Sequence, residues 1–178
     1  LFKDKVIVNG DHDGDSYLVA LARADGKTLW KVPRENKTRS YCAPIIRDLG
    51  GRTQMILSGD KCVASYDPNN GQRHWVIDGP TEQFVASLVY NERADLLFMT
   101  GGFPDHHILA IKPDGLGNVT QTKIVWRTNK GAAYVPSPIS HGRASSIARG
   151  AMTTGRICCR GGHIVTTTGS CCSRSRTS

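Results

Sequence analysis

Three tryptophans constrain this chain more than any other feature. Trp30, Trp75 and Trp126 end the stretches "DGKTLW", "NGQRHW" and "QTKIVW", at spacings of 45 and 51 residues. Before each lies a pair of short apolar runs: "VIVNG" and "SYLVALA", then "QMILSG" and "KCVASYD", then "DLLFMTGG" and "HILAIK". After each comes a polar stretch and one more apolar run, "YCAPII", "FVASLVY" and "AYVPSPI". These runs are rich in β-branched, aromatic and leucine residues and are bounded by Gly, Asp, Asn or Pro, which reads as strands. No segment of residues 1–140 keeps a helical period over three turns. The fold class is all-β.

The connectors agree. "ADGK" and "PNNGQ" carry the Asp-Gly and Asn-Gly pairs that accept positive φ in tight hairpins, and "KPDGLGNVTQTK" reads as the same connection made longer. Each cycle therefore holds four strands in about 45 residues, the period of a β-propeller blade. A blade cannot bury both faces of its sheet alone, so successive blades must stack around an axis. A ring at one fixed place per cycle is then packing between neighbours; a ligand cage would need the indoles to converge, and a repeat places them apart.

Two stretches make the reading more specific. "ALARADGKTLWKV" and "ASYDPNNGQRHWVIDG" resemble the tryptophan-docking repeats of pyrroloquinoline quinone (PQQ)-type, or quinoprotein-like, propellers. The matching residues are Asp25, Gly26, Lys27 and Trp30 in the first copy and Asp67, Gly71, Gln72 and Trp75 in the second. The third keeps Lys123 and Trp126 with its turn expanded. The resemblance runs from Val6 to about Ile139 and extends to bacterial proteins that include the outer-membrane assembly lipoprotein and quinoprotein dehydrogenases. It implies a partial propeller of four-stranded antiparallel blades over residues 1–140. One incomplete blade, two full ones and the first strand of a fourth fall short of the roughly four to eight that close a ring. A chain that begins at Leu1 and stops short in this way is expected to be a fragment.

After "SPISHG" the texture changes. Residues 143–178 contain no aromatic, no leucine and no acidic residue. Residues 141–178 are read as a non-propeller tail rich in Arg, Ser, Gly and Cys, either disordered because such composition buries no core or translated out of frame. The net charge of +8 has the same origin. All fifteen acidic residues and fourteen basic ones lie in the first 114 positions, and nine basic residues with no acid follow. A phosphate-binding face would cluster its charge on a recognisable module, so no nucleic-acid partner is expected. No run of about 18 apolar residues is present to cross a membrane.

Candidate chemistry is sparse. "DHDGD" offers Asp11, Asp13 and Asp15 in the spacing that opens a calcium loop. The sixth position is Ser16 rather than glycine, the twelfth is Ala22 rather than glutamate, and both flanks are strands. The three aspartates stay weak metal candidates in a polar hairpin connection. His106 and His107 in "PDHHI" point to opposite faces and suit one metal poorly. Cys158, Cys159, His163, Cys171 and Cys172 lack the Cys-x2-Cys spacing of a zinc site. Cys158-Cys159 superficially resembles the vicinal disulfide of quinoprotein dehydrogenases, though nothing flanking it matches. Cys42 and Cys62 read as buried free thiols. "NKT" at 36–38 and "NVT" at 118–120 match the glycosylation triplet. No Ser-His-Asp order, nucleophile elbow or phosphate loop occurs.

These observations lead to an expectation of a non-catalytic scaffold that binds a protein partner or small ligand on its loop face or central channel, with no cofactor. The resemblance alone implies an exported protein of the bacterial periplasm or cell envelope. The alternative is a fragment of a quinone-dependent dehydrogenase, with PQQ held over calcium. A third class, an accessory module of carbohydrate-active or sulfatase proteins, is compatible with the same sequence.

Overall fold

The computed structural model describes residues 1–130, 132–141, 144–149, 153–160 and 163–167. Among them every regular element is a strand. The first sheet is an antiparallel meander of β1 (Lys5–Gly10), β2 (Tyr17–Ala22) and β3 (Thr28–Pro33). The second runs β4 (Ile45–Leu49), β5 (Arg52–Gly59), β6 (Cys62–Tyr66) and β7 (Arg73–Asp78). The third runs β8 (Val89–Asn91), β9 (Leu96–Gly101), β10 (His107–Ile111) and, beyond an inserted strand β11 (Gly117–Asn118), the edge strand β12 (Ile124–Thr128).

The second sheet shows why these strands are apolar at every position rather than at alternate ones. Met55, Leu57, Cys62, Ala64 and Val76 pack with Leu18, Ala20 and Trp30 of the first sheet. Ile56, Val63, Trp75 and Ile77, one residue out of phase, pack with Leu97, Met99, Leu109 and Ile111 of the third. Successive side chains of a strand point to opposite faces, so a sheet buried on both sides must be apolar in both phases. Layers of this kind, stacked face to face with their first strands adjacent (β13 lies against β8), form a partial β-propeller.

The inserted strand departs from the simple repeat. β11 belongs in sequence to the third sheet but pairs in parallel with β7 of the second, Gly117 opposite Trp75 and Asn118 opposite Val76. The Val119 amide donates to the Val76 carbonyl at 2.9 Å and the Asp78 amide to Thr120 Oγ1 at 3.0 Å. What reads in the sequence as a long loop is thus a fifth strand on a neighbouring sheet.

Two further differences have physical causes. The apolar runs after each tryptophan enter their strands late, at Ile45, Val89 and Ile139. Pro44, Pro136 and Pro138 cannot donate to a ladder, and ahead of Ile45 and Val89 the Ala43 and Ser87 amides bond to the next connection instead. From residue 139 the described residues form a fourth antiparallel sheet, β13 (Ile139–His141), β14 (Ala144–Arg149), β15 (Thr153–Arg160) and β16 (His163–Thr167). Strands β14, β15 and β16 fall within the segment 141–178 read from sequence as a tail. Ile, Val and Thr in "RICC" and "HIVTT" carry strand propensity without any aromatic or leucine. Residues 168–178 lie outside the described residues.

Candidate functional site

The repeat residues occupy the seams between sheets. Gly26 and Gly71 both adopt left-handed φ, +73° and +77°, in turns closed by the same bonds: Ala22 and Lys27 in one, Asp67 and Gln72 in the other. The Asp25 carboxylate accepts from the Lys27 amide at 3.1 Å, and Asn70 Oδ1 accepts from the Gln72 amide at 2.8 Å. By hydrogen bonding, Asn70 stands where Asp25 stands. Asp67 sits at the turn's entry, where its carboxylate receives the Asn69 amide at 2.8 Å. In the third copy the Lys123 ammonium reaches Asp114 at 2.7 Å, repeating the pairing of Lys27 with Asp25 at 3.0 Å.

The three indoles lie in separate layers, and Trp30 and Trp75 are each directed at the following sheet. Trp30 covers Gly71, where a Cβ would stand 2.8 Å from the ring, and its Nε1 donates to the Pro68 carbonyl at 3.2 Å. Trp75 donates instead to Gln54 Oε1 at 2.8 Å, and Gln54 Nε2 donates onward to the Pro113 carbonyl at 2.7 Å. Pro68 and Pro113 are equivalent turn residues, so the same carbonyl is reached directly in one seam and through an amide relay in the next. Gln54 also donates to Leu49 O at 2.9 Å and accepts from Ser65 Oγ at 2.7 Å, which satisfies this fully buried amide. Trp126 packs on Phe98 with centroids 5.9 Å apart and against Ala133. Sequence reasoning missed Gln54; one amide within "RTQMILSG" was the sole sign.

The aspartates of "DHDGD" are each engaged by a cation from the following connection. Asp11 is buried and takes Arg34 in a two-point contact, Nε at 2.9 Å and Nη2 at 3.2 Å. Arg34 Nη1 donates to the Tyr66 hydroxyl at 2.7 Å, which ties the first sheet to the second. Burial alone would lower the Arg34 pKa; Tyr66, Cys62 and Asp11 outweigh it and hold the guanidinium charged. Asp15 pairs with Lys37 at 3.3 Å and Asp13 with Arg39. The three carboxylates do not share a centre. Asp60 closes the neighbouring β5–β6 turn and accepts the Glu35 and Asn36 amides, both at 2.8 Å.

The other candidates are dispersed. His107 begins β10 and His106 lies exposed in the turn before it. Among the described residues no three His, Cys, Asp or Glu side chains gather as a metal site. Cys42 and Cys62 are buried free thiols, each pushed up to about 11, first by burial. Cys158 and Cys159 lie on β15 and His163 begins β16; Cys171 and Cys172 are outside the described residues. Asn118 lies on β11, while the Asn36 side chain donates to the Asp60 carbonyl at 2.7 Å.

One face brings equivalent residues of successive cycles together. The Ala43 amide donates to Ser87 Oγ at 3.2 Å, and the Ser87 amide donates to Ser137 Oγ at 3.0 Å. Ser40 and Phe84 form a parallel bridge, the Tyr41 amide donates to Phe84 O at 2.8 Å, and Cys42 Sγ donates to Ala86 O at 3.0 Å. The three connections are thus laced into one belt. Two residues before each laced position stand Tyr41, Val85 and Val135; Tyr41 is 63% and Val135 59% exposed. Phe103, 49% exposed, lies beside Tyr134 with ring centroids 6.5 Å apart.

Stacked antiparallel blades with an indole in each seam define a β-propeller. Among solved structures, the crystal structure of BamB from Moraxella catarrhalis is similar to this chain with a TM-score of 0.58 at 16% identity, over 90% of this chain and 48% of that one. The chain thus spans about half the length of that protein. No family model and no curated protein sequence matches it.

Proposed function

We propose that this chain is part of a PQQ-like repeat propeller that serves as a non-catalytic scaffold in the bacterial cell envelope and takes a protein partner on its laced face. The observation that carries this is the belt through Ala43, Ser87 and Ser137, which holds Tyr41 and Val135 out to solvent at equivalent places. Interfaces are enriched in aromatic residues, and a face already fixed by hydrogen bonds loses little entropy on binding. The indole seams support the tryptophan-docking assignment, and the likeness to BamB supports the propeller fold on which the scaffold reading rests.

The test places a photo-crosslinking side chain at Tyr41 or Val135 of the full-length protein in cells. A discrete adduct from both positions, absent when the crosslinker sits at exposed Leu116, supports the laced face. Adducts from Leu116 alone refute it. Addition of PQQ and calcium followed by dye reduction with alcohols or sugars tests the dehydrogenase alternative, and turnover there overturns the scaffold reading.

A further inference from the structure

The outer edges of the first three sheets are β3, β7 and β12, which carry Trp30, Trp75 and Trp126 in register. β7 is covered by β11. Val76, one residue after the indole, presents its carbonyl to the Val119 amide. The connection that makes this cover is twelve residues long, residues 112–123. The corresponding connections are too short to do the same for the other edges. Residues 67–72 make a six-residue turn, and two residues separate β15 from β16.

The two remaining edges differ. β3 ends in Pro33, which lacks an amide proton, and its Lys31 ammonium lies 3.9 Å from the Tyr17 ring centroid. A proline and an occupied lysine blunt an edge against pairing. β12 has no proline and alternates half-buried and exposed residues, with Val125 48% exposed. Among the described residues no strand pairs with its outer side. Leu109 opposes Arg127 as Ala64 opposes Val76, so Arg127 holds the position that receives a strand in the second sheet.

Charge selects what could pair there. Arg127 and Lys130 are exposed and have no acidic partner among the described residues, whereas Lys112 and Lys123 are paired with Asp95 and Asp114. The sequence contains no acidic residue after Asp114. The geometry points to β12 as a docking edge for an extended, acidic segment of a partner protein, added as a parallel strand in the way that β11 is added to β7. Main-chain bonds would supply affinity, and Arg127 on the strand would select a carboxylate beside it, with Lys130 just past the strand end adding positive charge. This edge is separate from the laced face, so either surface can fail without the other.

The probe is a fluorescein-labelled ten-residue peptide alternating valine and glutamate, titrated into the full chain and followed by fluorescence anisotropy. Saturable binding is expected, weakened about tenfold by methylating alternate peptide amides and about fivefold by Arg127→Glu. A valine–lysine peptide should not bind. Arg127→Pro, checked for folding by its melting curve, should also weaken binding by removing the outward amide. If that variant fails to fold, the methylated peptide and Arg127→Glu still decide. Three results would overturn the proposal: no saturation at millimolar peptide, binding indifferent to methylation and to Arg127→Glu, or self-association of the chain that Arg127→Glu abolishes.

Discussion

The indole of Trp30 lies directly over Gly71 of the next sheet, with its Nε1 proton donated to the Pro68 carbonyl at 3.2 Å. Gly26 holds nearly the same left-handed φ in the preceding turn, but a Cβ there would meet nothing within 4 Å. Alanine at either position imposes the backbone strain of positive φ, about 1 kcal/mol. Only at Gly71 does it also push the ring out of its seat. Gly71→Ala is therefore expected to cost at least about 1 kcal/mol more than Gly26→Ala, given the usual penalty of overpacking. Urea unfolding of the two variants measures the difference, and equal losses would mean that the ring does not rest on the glycine.

Gln54 serves four partners, and its replacement tests the relay. Gln54→Leu leaves the Trp75 indole N–H, the Ser65 hydroxyl and the Leu49 and Pro113 carbonyls without their present partner. The expected loss is about 3–5 kcal/mol, larger than for Trp75→Phe at that one hydrogen bond's share, since each unsatisfied buried group costs roughly 1–3 kcal/mol. Gln54→Glu should also destabilise, because a carboxylate cannot donate to two carbonyls. Denaturant midpoints rank the variants.

Removing one partner of the buried Asp11–Arg34 pair strands the other. Asp11→Ala is expected to cost about 3–5 kcal/mol. The double change Asp11→Leu with Arg34→Met should cost much less than the sum of the single changes, since no isolated charge remains. A double-mutant cycle by chemical unfolding reads this coupling.

The same engagement predicts indifference to calcium. With Asp11, Asp13 and Asp15 each facing a cation of the 34–39 segment, millimolar calcium should leave the melting temperature unchanged. A reproducible rise would show that the ion displaces those cations.

Alkaline stability should depend on the two buried thiols. Cys42 and Cys62 ionise at about 11 in the fold against an ordinary 9.0, with burial the leading cause. A raised folded pKa gives stability that is complete below pH 9 and is lost as pH climbs towards 11, because the unfolded chain releases those protons first. Unfolding midpoints from pH 8 to pH 11 should fall less steeply in the Cys42→Ala, Cys62→Ala variant.

What the sequence discloses and what it hides divide along physical lines. Strands such as "KVIVNG" and "HILAIK" are legible because their residue types suit a pleated, buried surface, and the recurring indoles betray the period. The Asp11–Arg34 contact is hidden. Arg34 sits within the polar "PRENKT", and only the meander of the first sheet brings it to an aspartate 23 positions upstream. β11 is hidden for another reason: "GN" has no strand propensity, and its pairing is dictated by the accessible edge of β7. The substitution of Asn70 for Asp25 emerges only when turns are aligned by their bonds rather than their letters.

The strand that reaches back from the third sheet to the second has a consequence for how the molecule comes apart. In an array whose units touch only through their faces, loss can proceed one unit at a time from either end. Here residues 117–120 are clasped to the previous layer, so the third sheet cannot peel away without baring the flank of the second. Those two layers should melt as a single cooperative block.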